Sequence, residues 1–298
     1  MWSAYLEQIQ QGHIKSLARC ISLVENAVPG YDALMQMLPP SSTPIIGITG
    51  PPGAGKSTLT DALIHHWVTA GKRVGVLCVD PSSPFNLGAL LGDRIRMSDW
   101  YNHPSVFIRS LATRGSLGGL HPRILEIADL MTAAPFDYVI VETVGVGQSE
   151  IEIAGLADTT LVVLVPEAGD EVQTMKAGLM EIAQLFVVNK ADRPDADQFV
   201  HNLRLMLAPA YRDHAHDAIP ILKTVASKRE GIAALAEAIE KHISEGVVNI
   251  RRSWLLAEKA YWLIQQHRMQ DIDKQELKLK LEAMSEQVNL YRFIKQYV

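Results

Sequence analysis

A glycine-rich octet lies between a short apolar run and a helical pattern, and few folds accept that order. The run is Ile45, Ile46, Gly47, Ile48 and Thr49, which reads as a buried strand. The octet is Gly50, Pro51, Pro52, Gly53, Ala54, Gly55, Lys56 and Ser57. After Thr58 the apolar positions Leu59, Leu63, Ile64 and Trp67 recur three and four apart, as on one face of a helix. The octet satisfies G-x-x-x-x-G-K-[ST]. In that pattern the glycines let backbone N–H groups crowd around phosphate oxygens, the lysine adds a point charge, and the serine hydroxyl reaches a Mg²⁺. Strand, loop and helix N-terminus in that order also bring the helix dipole to bear on phosphate.

The rest of the chain repeats the alternation. Val74 to Val79, Val106 to Ile108, Tyr138 to Val141, Leu161 to Val165, Leu185 to Val188 and Ile219 to Leu222 are short apolar runs rich in Val and Ile. They lack period-2 alternation, as expected of a parallel sheet covered on both faces. Helical stretches such as Arg123 to Met131, Glu171 to Ile182 and Ile232 to Ile243 fall between or after them. The expected fold is α/β, a doubly wound and mostly parallel sheet over residues 44–248. Residues 1–43 read as an N-terminal helical extension, with Leu6, Ile9, His13, Leu17, Ile21 and Val24 at helical spacing from residue 2 to about residue 38. Prolines at 39, 40 and 44 break it from the sheet. Residues 249–298 read as a C-terminal helical arm. Trp254, Tyr261 and Ile264 begin one helix there. Leu277, Leu281, Met284, Val288, Tyr291, Ile294 and Val298 continue the spacing over about 22 residues. Such a stripe docks on its own chain or forms a subunit interface.

Composition narrows the partners. With 28 Lys and Arg against 33 Asp and Glu, the net charge of −5 disfavours nucleic acid or an anionic membrane as the main partner. Cys20 and Cys78 are the only cysteines, so no disulfide framework is expected, which fits a reducing compartment. The first residues lack a basic start and an apolar core like those of a secretory signal. No apolar run approaches the ~20 residues needed to cross a bilayer. A cytoplasmic protein is expected.

Asn189, Lys190, Ala191 and Asp192 follow the run ending at Val188 and fit N-K-x-D. An aspartate so placed accepts hydrogen bonds from the N1–H and exocyclic amine of guanine, a donor pair adenine lacks. Together with the octet this points to a GTPase. Thr224, Val225, Ala226 and Ser227 follow the last strand and resemble the S-A-[KL] element whose backbone supports guanine O6, with Ala226 in the matching place and Val225 where the serine belongs. Glu142 ends a strand and Gly145 stands three residues on, where GTPases have D-x-x-G: the acid holds Mg²⁺ through water and the glycine N–H senses the γ-phosphate. Asp80 also ends a strand and is placed for the metal's outer shell. Asp93, with Arg94 and Arg96, lies in the next connection, where the arginines either neutralise phosphate or pair with surface acids. Gln148 is the candidate for orienting the attacking water, at a spacing from Gly145 unlike that of small GTPases. Lys56, Glu142 and Gln148 form the candidate catalytic set, and slow intrinsic turnover is expected.

Seven segments occur in a fixed order: Gly50 to Thr58, Asp80 to Ser83, Gly92 to Met97, Arg109 to Gly115, Glu142 to Glu150, Pro166 to Asp170 and Asn189 to Asp192. In this the chain resembles the MeaB/ArgK family of P-loop GTPases, accessory proteins of adenosylcobalamin-dependent methylmalonyl-CoA mutase. The resemblance spans essentially the whole chain, and the segment from Glu142 to Glu150 separates this family from other GTPases. It implies GTP/GDP and Mg²⁺ as ligands, with Ser57, Asp80, Asp93 and Glu142 approaching the metal. A nucleotide-responsive third switch would fall around Pro166 to Lys176. It also implies a homodimer that gates cofactor loading and protects the mutase.

Two other readings share the phosphate loop. A metal-insertion GTPase would add Cys-x-x-Cys or a histidine tract, whereas His65 and His66 point apart on a helix and His214 and His216 fall in an expected loop. A small-molecule or protein kinase, in line with an older arginine/lysine transport kinase label in the family, would not need the guanine reader at Asn189 to Asp192.

Overall fold

The computed structural model describes residues 2–80, 97–113, 120–143, 149–168, 182–207, 219–245, 250–284 and 289–297. Its strands are β1 (Ile45–Thr49), β2 (Val74–Asp80), β3 (Val106–Ala112), β4 (Tyr138–Glu142), β5 (Thr159–Leu164), β6 (Leu185–Val188) and β7 (Ile221–Lys223). They form one seven-stranded sheet in the order β3-β2-β4-β1-β5-β6-β7. All its pairings are parallel. Helices α1 (Trp2–Gln10), α2 (Ile14–Glu25) and α3 (Tyr31–Gln36) precede the sheet. Helices α4 (Lys56–Thr69), α5 (Ile124–Thr132), α6 (Ser149–Leu156), α7 (Ala196–Leu207) and α8 (Ile232–Ser244) lie between or after its strands.

The unbroken apolar character of the strands follows from their two buried faces. Successive side chains point to opposite sides of a strand. Ile46, Ile48, Val76, Cys78, Ile140, Val163 and Val187 therefore join one core with Leu63 and Trp67 of α4 and Leu235 and Ile239 of α8. Leu77, Val79, Val139, Val141, Val162, Leu164 and Phe186 join the other, with side chains from α1, α2, α3, α5, α6 and α7. Trp67 anchors the first core: its ring stacks on Tyr138 at 4.4 Å between centroids, and its Nε1 donates to Glu240 Oε1 at 2.9 Å. An aromatic pair of this kind contributes about 0.5–1.5 kcal/mol beyond its buried area.

Several element boundaries differ from those read in the sequence. The single N-terminal helix expected to about residue 38 is three short ones, because Gly12 and Gly30 adopt φ of +85° and +88° and turn the chain. His13, expected on the apolar stripe, is exposed at the first of these turns, while Leu6, Ile9, Leu17, Ile21 and Val24 are buried as expected. Strand β3 continues past Ile108 to Ala112, because the ladder with β2 carries it on: Leu77, Val79 and Asp80 pair with Arg109, Leu111 and Ala112. The expected helix from Glu171 lies outside the described residues as far as residue 181.

Residues Met1–Val248 form one compact unit and Asn249–Val298 a second. The second unit contains α9 (Ile250–Arg268), α10 (Lys274–Ala283) and α11 (Leu290–Phe293). The stripe from Leu277 to Val298 is not one helix. Met284 is extended, with ψ of 125°, and α11 starts afresh where Asn289 Oδ1 accepts from the Arg292 N–H. Val288 and Val298 lie outside the described residues. At the start of α10, Asp273 Oδ1 accepts from the N–H groups of Gln275 and Glu276, satisfying two donors that the helix itself cannot. Among the described residues no helix is long and apolar enough to cross a membrane.

Candidate functional site

In a parallel sheet the C-terminal ends of all strands share one edge. That edge receives the octet after β1, Asp80 at the end of β2, Glu142 at the end of β4, Asn189 to Asp192 after β6, and Thr224 to Ser227 after β7. Strand β1 lies between β4 and β5, where the strand order reverses and α/β sheets bind ligands.

The octet bends sharply off β1. Gly50 has φ of +140°, and a Cβ there would lie 2.1 Å from the Val163 carbonyl oxygen, so the turn against β5 demands glycine. The loop closes around its own lysine. Lys56 is only 7% exposed, and its Nζ donates to the carbonyl oxygens of Gly50 and Pro51 at 2.9 and 3.1 Å. Pro52 and Gly53 form the exposed tip, Ala54 is buried, and Thr58 is half-buried on the first turn of α4.

Glu142 is held by two hydroxyls of α4. Ser57 Oγ donates to its Oε1 at 2.6 Å, and Thr60 Oγ1 lies 2.8 Å from its Oε2 and 3.0 Å from the Lys56 carbonyl oxygen. Glu142, Ser57 and Thr60 are all buried. The strand exit beside them is fixed by Thr143, whose N–H donates to Ile48 O and whose hydroxyl donates to Thr49 Oγ1. Ser57 and Glu142 thus place two hard oxygen donors together at the phosphate loop, a donor set suited to Mg²⁺. Thr60 carried no role in the sequence reading, yet its position three residues after Ser57, on the same helix face, was a signal that it belonged here.

Asn189 connects the loops. Its Nδ2 donates to Ala54 O at 2.9 Å, while its Oδ1 accepts from Ala226 N at 3.1 Å and Thr224 Oγ1 at 3.2 Å. The amide is almost wholly buried, at 2% exposure. Lys190, at φ of +55°, sends its Nζ to Gly53 O at 2.8 Å, and the Ala191 N–H donates to Thr224 O. The N–H of Ala226, expected near the base, is thus engaged by Asn189. Val225 is buried beside it and Ser227 is exposed. Asp192 stands at the exposed end of this arrangement. Its Oδ2 accepts from Lys228 Nζ at 3.0 Å, and that hydrogen bond, with the charges of Lys228 and Arg193, holds its carboxyl below the usual carboxylate range. Arg193 also pairs with Glu167, in the short turn Pro166–Ala168 after β5.

The structure brings together the octet, Glu142, Asn189, Lys190, Asp192, Val225, Ala226 and Ser227. Asp80 reaches the same edge on its strand, with nothing described of its side chain. Asp93, Arg94, Arg96, Gly145, Gln148, His214 and His216 lie outside the described residues, as does the expected third switch beyond Ala168. His65 packs edge-on against Trp100, at 6.2 Å between centroids.

A model of the family described as methylmalonyl Co-A mutase-associated GTPase MeaB matches residues 17–276. A Pyrococcus horikoshii protein named as a GTPase is 47% identical over 243 residues, spanning 80% of this chain and 76% of its own. The fused isobutyryl-CoA mutase of Geobacillus kaustophilus is 34% identical over 237 residues, which make up 75% of this chain and 22% of that protein. Among solved structures, that of the LAO/AO transport system kinase is similar over 99% of this chain and 96% of its own, with a TM-score of 0.68 and 27% identity.

The exposed carboxylate of Asp192 sets an expectation for the base. Asp192→Asn should weaken GTP binding about 100-fold, because an amide cannot accept from both guanine donors, and should shift preference toward xanthosine triphosphate, whose added carbonyl accepts from the new amide. Competition binding with GTP, XTP and ATP checks this; a variant that still preferred GTP over XTP would place the guanine reader elsewhere.

Proposed function

We propose, for a chain that belongs to the family of methylmalonyl Co-A mutase-associated GTPases, that GTP binds along this sheet edge and that its hydrolysis serves an adenosylcobalamin-dependent CoA mutase. The observation that carries the nucleotide assignment is the Asn189 amide, which ties the phosphate loop to the turn after β7, the turn whose Lys228 meets Asp192. In this reading the N–H groups from Gly53 to Thr58 surround the phosphates. Lys56 exchanges its carbonyl partners for phosphate oxygens and balances charge in the transition state. Ser57 and Glu142, with Asp80 and Asp93, would hold Mg²⁺, which would supply neutralisation of the phosphate charge. Gly145 senses the γ-phosphate and Gln148 orients water. Asp192 reads guanine, and that selectivity favours GTP hydrolysis over phosphotransfer to a protein.

The mutase assignment draws support from the Geobacillus kaustophilus relative, in which a stretch like this chain and a CoA mutase share one polypeptide. A domain fused to an enzyme in one species commonly acts beside that enzyme as a separate chain in another. The proposed role is to gate cofactor loading and protect the mutase in the cytoplasm. The proposed state is a homodimer joined through the second unit, where Tyr261 and Ile264 of α9 are 67% and 52% exposed.

Lys56→Ala should lower Mg²⁺-dependent GTP hydrolysis at least ~100-fold, measured as phosphate release. In the same experiment a CoA mutase should co-purify with the wild type in a GTP-dependent manner, and that dependence should vanish in the variant. Turnover within twofold of wild type would contradict the loop's role, and nucleotide-independent recovery of the mutase would contradict the coupling. Separately, Tyr261→Glu combined with Ile264→Glu should convert the dimer to a monomer by light scattering while leaving GTP affinity within about twofold, since charge is costly to bury at an apolar interface. A variant that stayed dimeric would place the interface outside α9.

A further inference from the structure

Lys228 lies beyond every motif recognised in the sequence, yet it is the residue that meets the guanine-reading carboxylate. Its position is heavily constrained. The turn Ala226–Lys228 is held at its start by the Ala226 N–H on Asn189 Oδ1, and the Lys228 N–H donates to Val225 O at 2.9 Å. Arg229 closes the turn at φ of +58°, and Val225 and Glu230 pair across it as an antiparallel bridge. On the other side, Asp192 sits in a loop laced to the same turn through Ala191 N and Thr224 O. Two braced loops therefore bring one ammonium and one carboxylate together at 3.0 Å.

Both side chains are substantially exposed, at 56% for Lys228 and 41% for Asp192, so the pair contributes little to folding. Its geometry matters for a base instead. A carboxylate offers about four lone-pair positions on two oxygens. Lys228 occupies one position on Oδ2, which leaves acceptor capacity on both oxygens for a planar pair of donors. A carboxylate pinned at one oxygen cannot turn freely, so it presents both acceptors at a fixed angle.

Resting on the reading of Asp192 as the guanine reader, we propose that Lys228 is a specificity-determining positioning residue, which fixes the Asp192 carboxylate in the orientation that accepts the N1–H and the exocyclic amine of guanine together. A base with only the N1–H, such as hypoxanthine, gains little from that restraint, because a single hydrogen bond can be optimised by rotating the carboxylate. A guanine base gains most, because both bonds need one fixed orientation. Lys228 thus sharpens discrimination between GTP and ITP.

The test measures dissociation constants for GTP, ITP and ATP with full-length wild type, Lys228→Ala and Lys228→Arg, with thermal unfolding as a control. Lys228→Ala should lose about fivefold or more in GTP affinity and less than twofold in ITP affinity, so that the GTP-to-ITP ratio falls. Lys228→Arg, which keeps a cation on Asp192, should restore the ratio to within about twofold of wild type. A ratio unchanged in Lys228→Ala, beside a wild type that prefers GTP to ATP, overturns this inference alone. A wild type that binds ATP as tightly as GTP overturns the guanine assignment and this inference with it.

Discussion

The side-chain amide of Asn189 gives its donor to the Ala54 carbonyl and its acceptor to Ala226 N–H and Thr224 Oγ1. A side-chain amide carries donor and acceptor on one rigid plane, so a single buried group can satisfy a carbonyl on one loop and an N–H on another. The loops it joins follow three different strands, β1, β6 and β7. Their ends are not adjacent in the sheet throughout: β5 separates β1 from β6. Lys190 Nζ on Gly53 O and the Ala191 N–H on Thr224 O add links between the same loops, but among the described residues only Asn189 touches both the phosphate loop and the turn after β7 through one buried group. With it, any displacement of one moves an unsatisfied polar group of the other into the protein interior, which costs about 1–3 kcal/mol. Close packing leaves no room to relax, since a Cβ on Gly55 would lie 2.5 Å from Asn189 Nδ2.

The sheet supplies the rigid base for this arrangement. Two apolar cores clamp it from either face, and parallel pairing delivers the octet, Glu142, Asn189 and Thr224 to one edge. At that edge the acid that ends β4 is a glutamate. Its longer stem reaches both Ser57 and Thr60, so α4 is tied to β4 through both carboxylate oxygens. The helix that begins at the phosphate loop is thereby linked to the strand whose continuation carries Gly145 and Gln148.

Much of this was legible in the residues because the relevant signals are local. The apolar runs without alternation reported buried parallel strands, and the octet between a strand and a helix reported the phosphate loop. What escaped depended on contacts between distant segments or on single backbone angles. The break at Gly12 interrupts an apolar spacing that runs on through it, and the turn at Gly30 falls beyond the last residue of that spacing, Val24. The end of α10 at Met284 is likewise invisible to spacing alone, since Tyr291 and Ile294 keep the pattern after the helix has stopped. Residues 109 to 112 joined β3 because β2 was there to pair with them. Lys228 meets Asp192 across 36 residues of sequence, and no motif encodes that approach.

The central claim is that one amide sets the phosphate side and the base side of the site together. Affinity of Asn189→Ala for two probes, GTP and inorganic tripolyphosphate, tests it most directly, because the second probe touches the phosphate loop and has no base. The account predicts about a 100-fold loss for GTP and a loss of about threefold to tenfold for tripolyphosphate, as Ala54 O and Ala226 N–H lose their shared partner. Tripolyphosphate affinity unchanged within twofold, with GTP weakened, would contradict it: the two halves of the site would then be held independently.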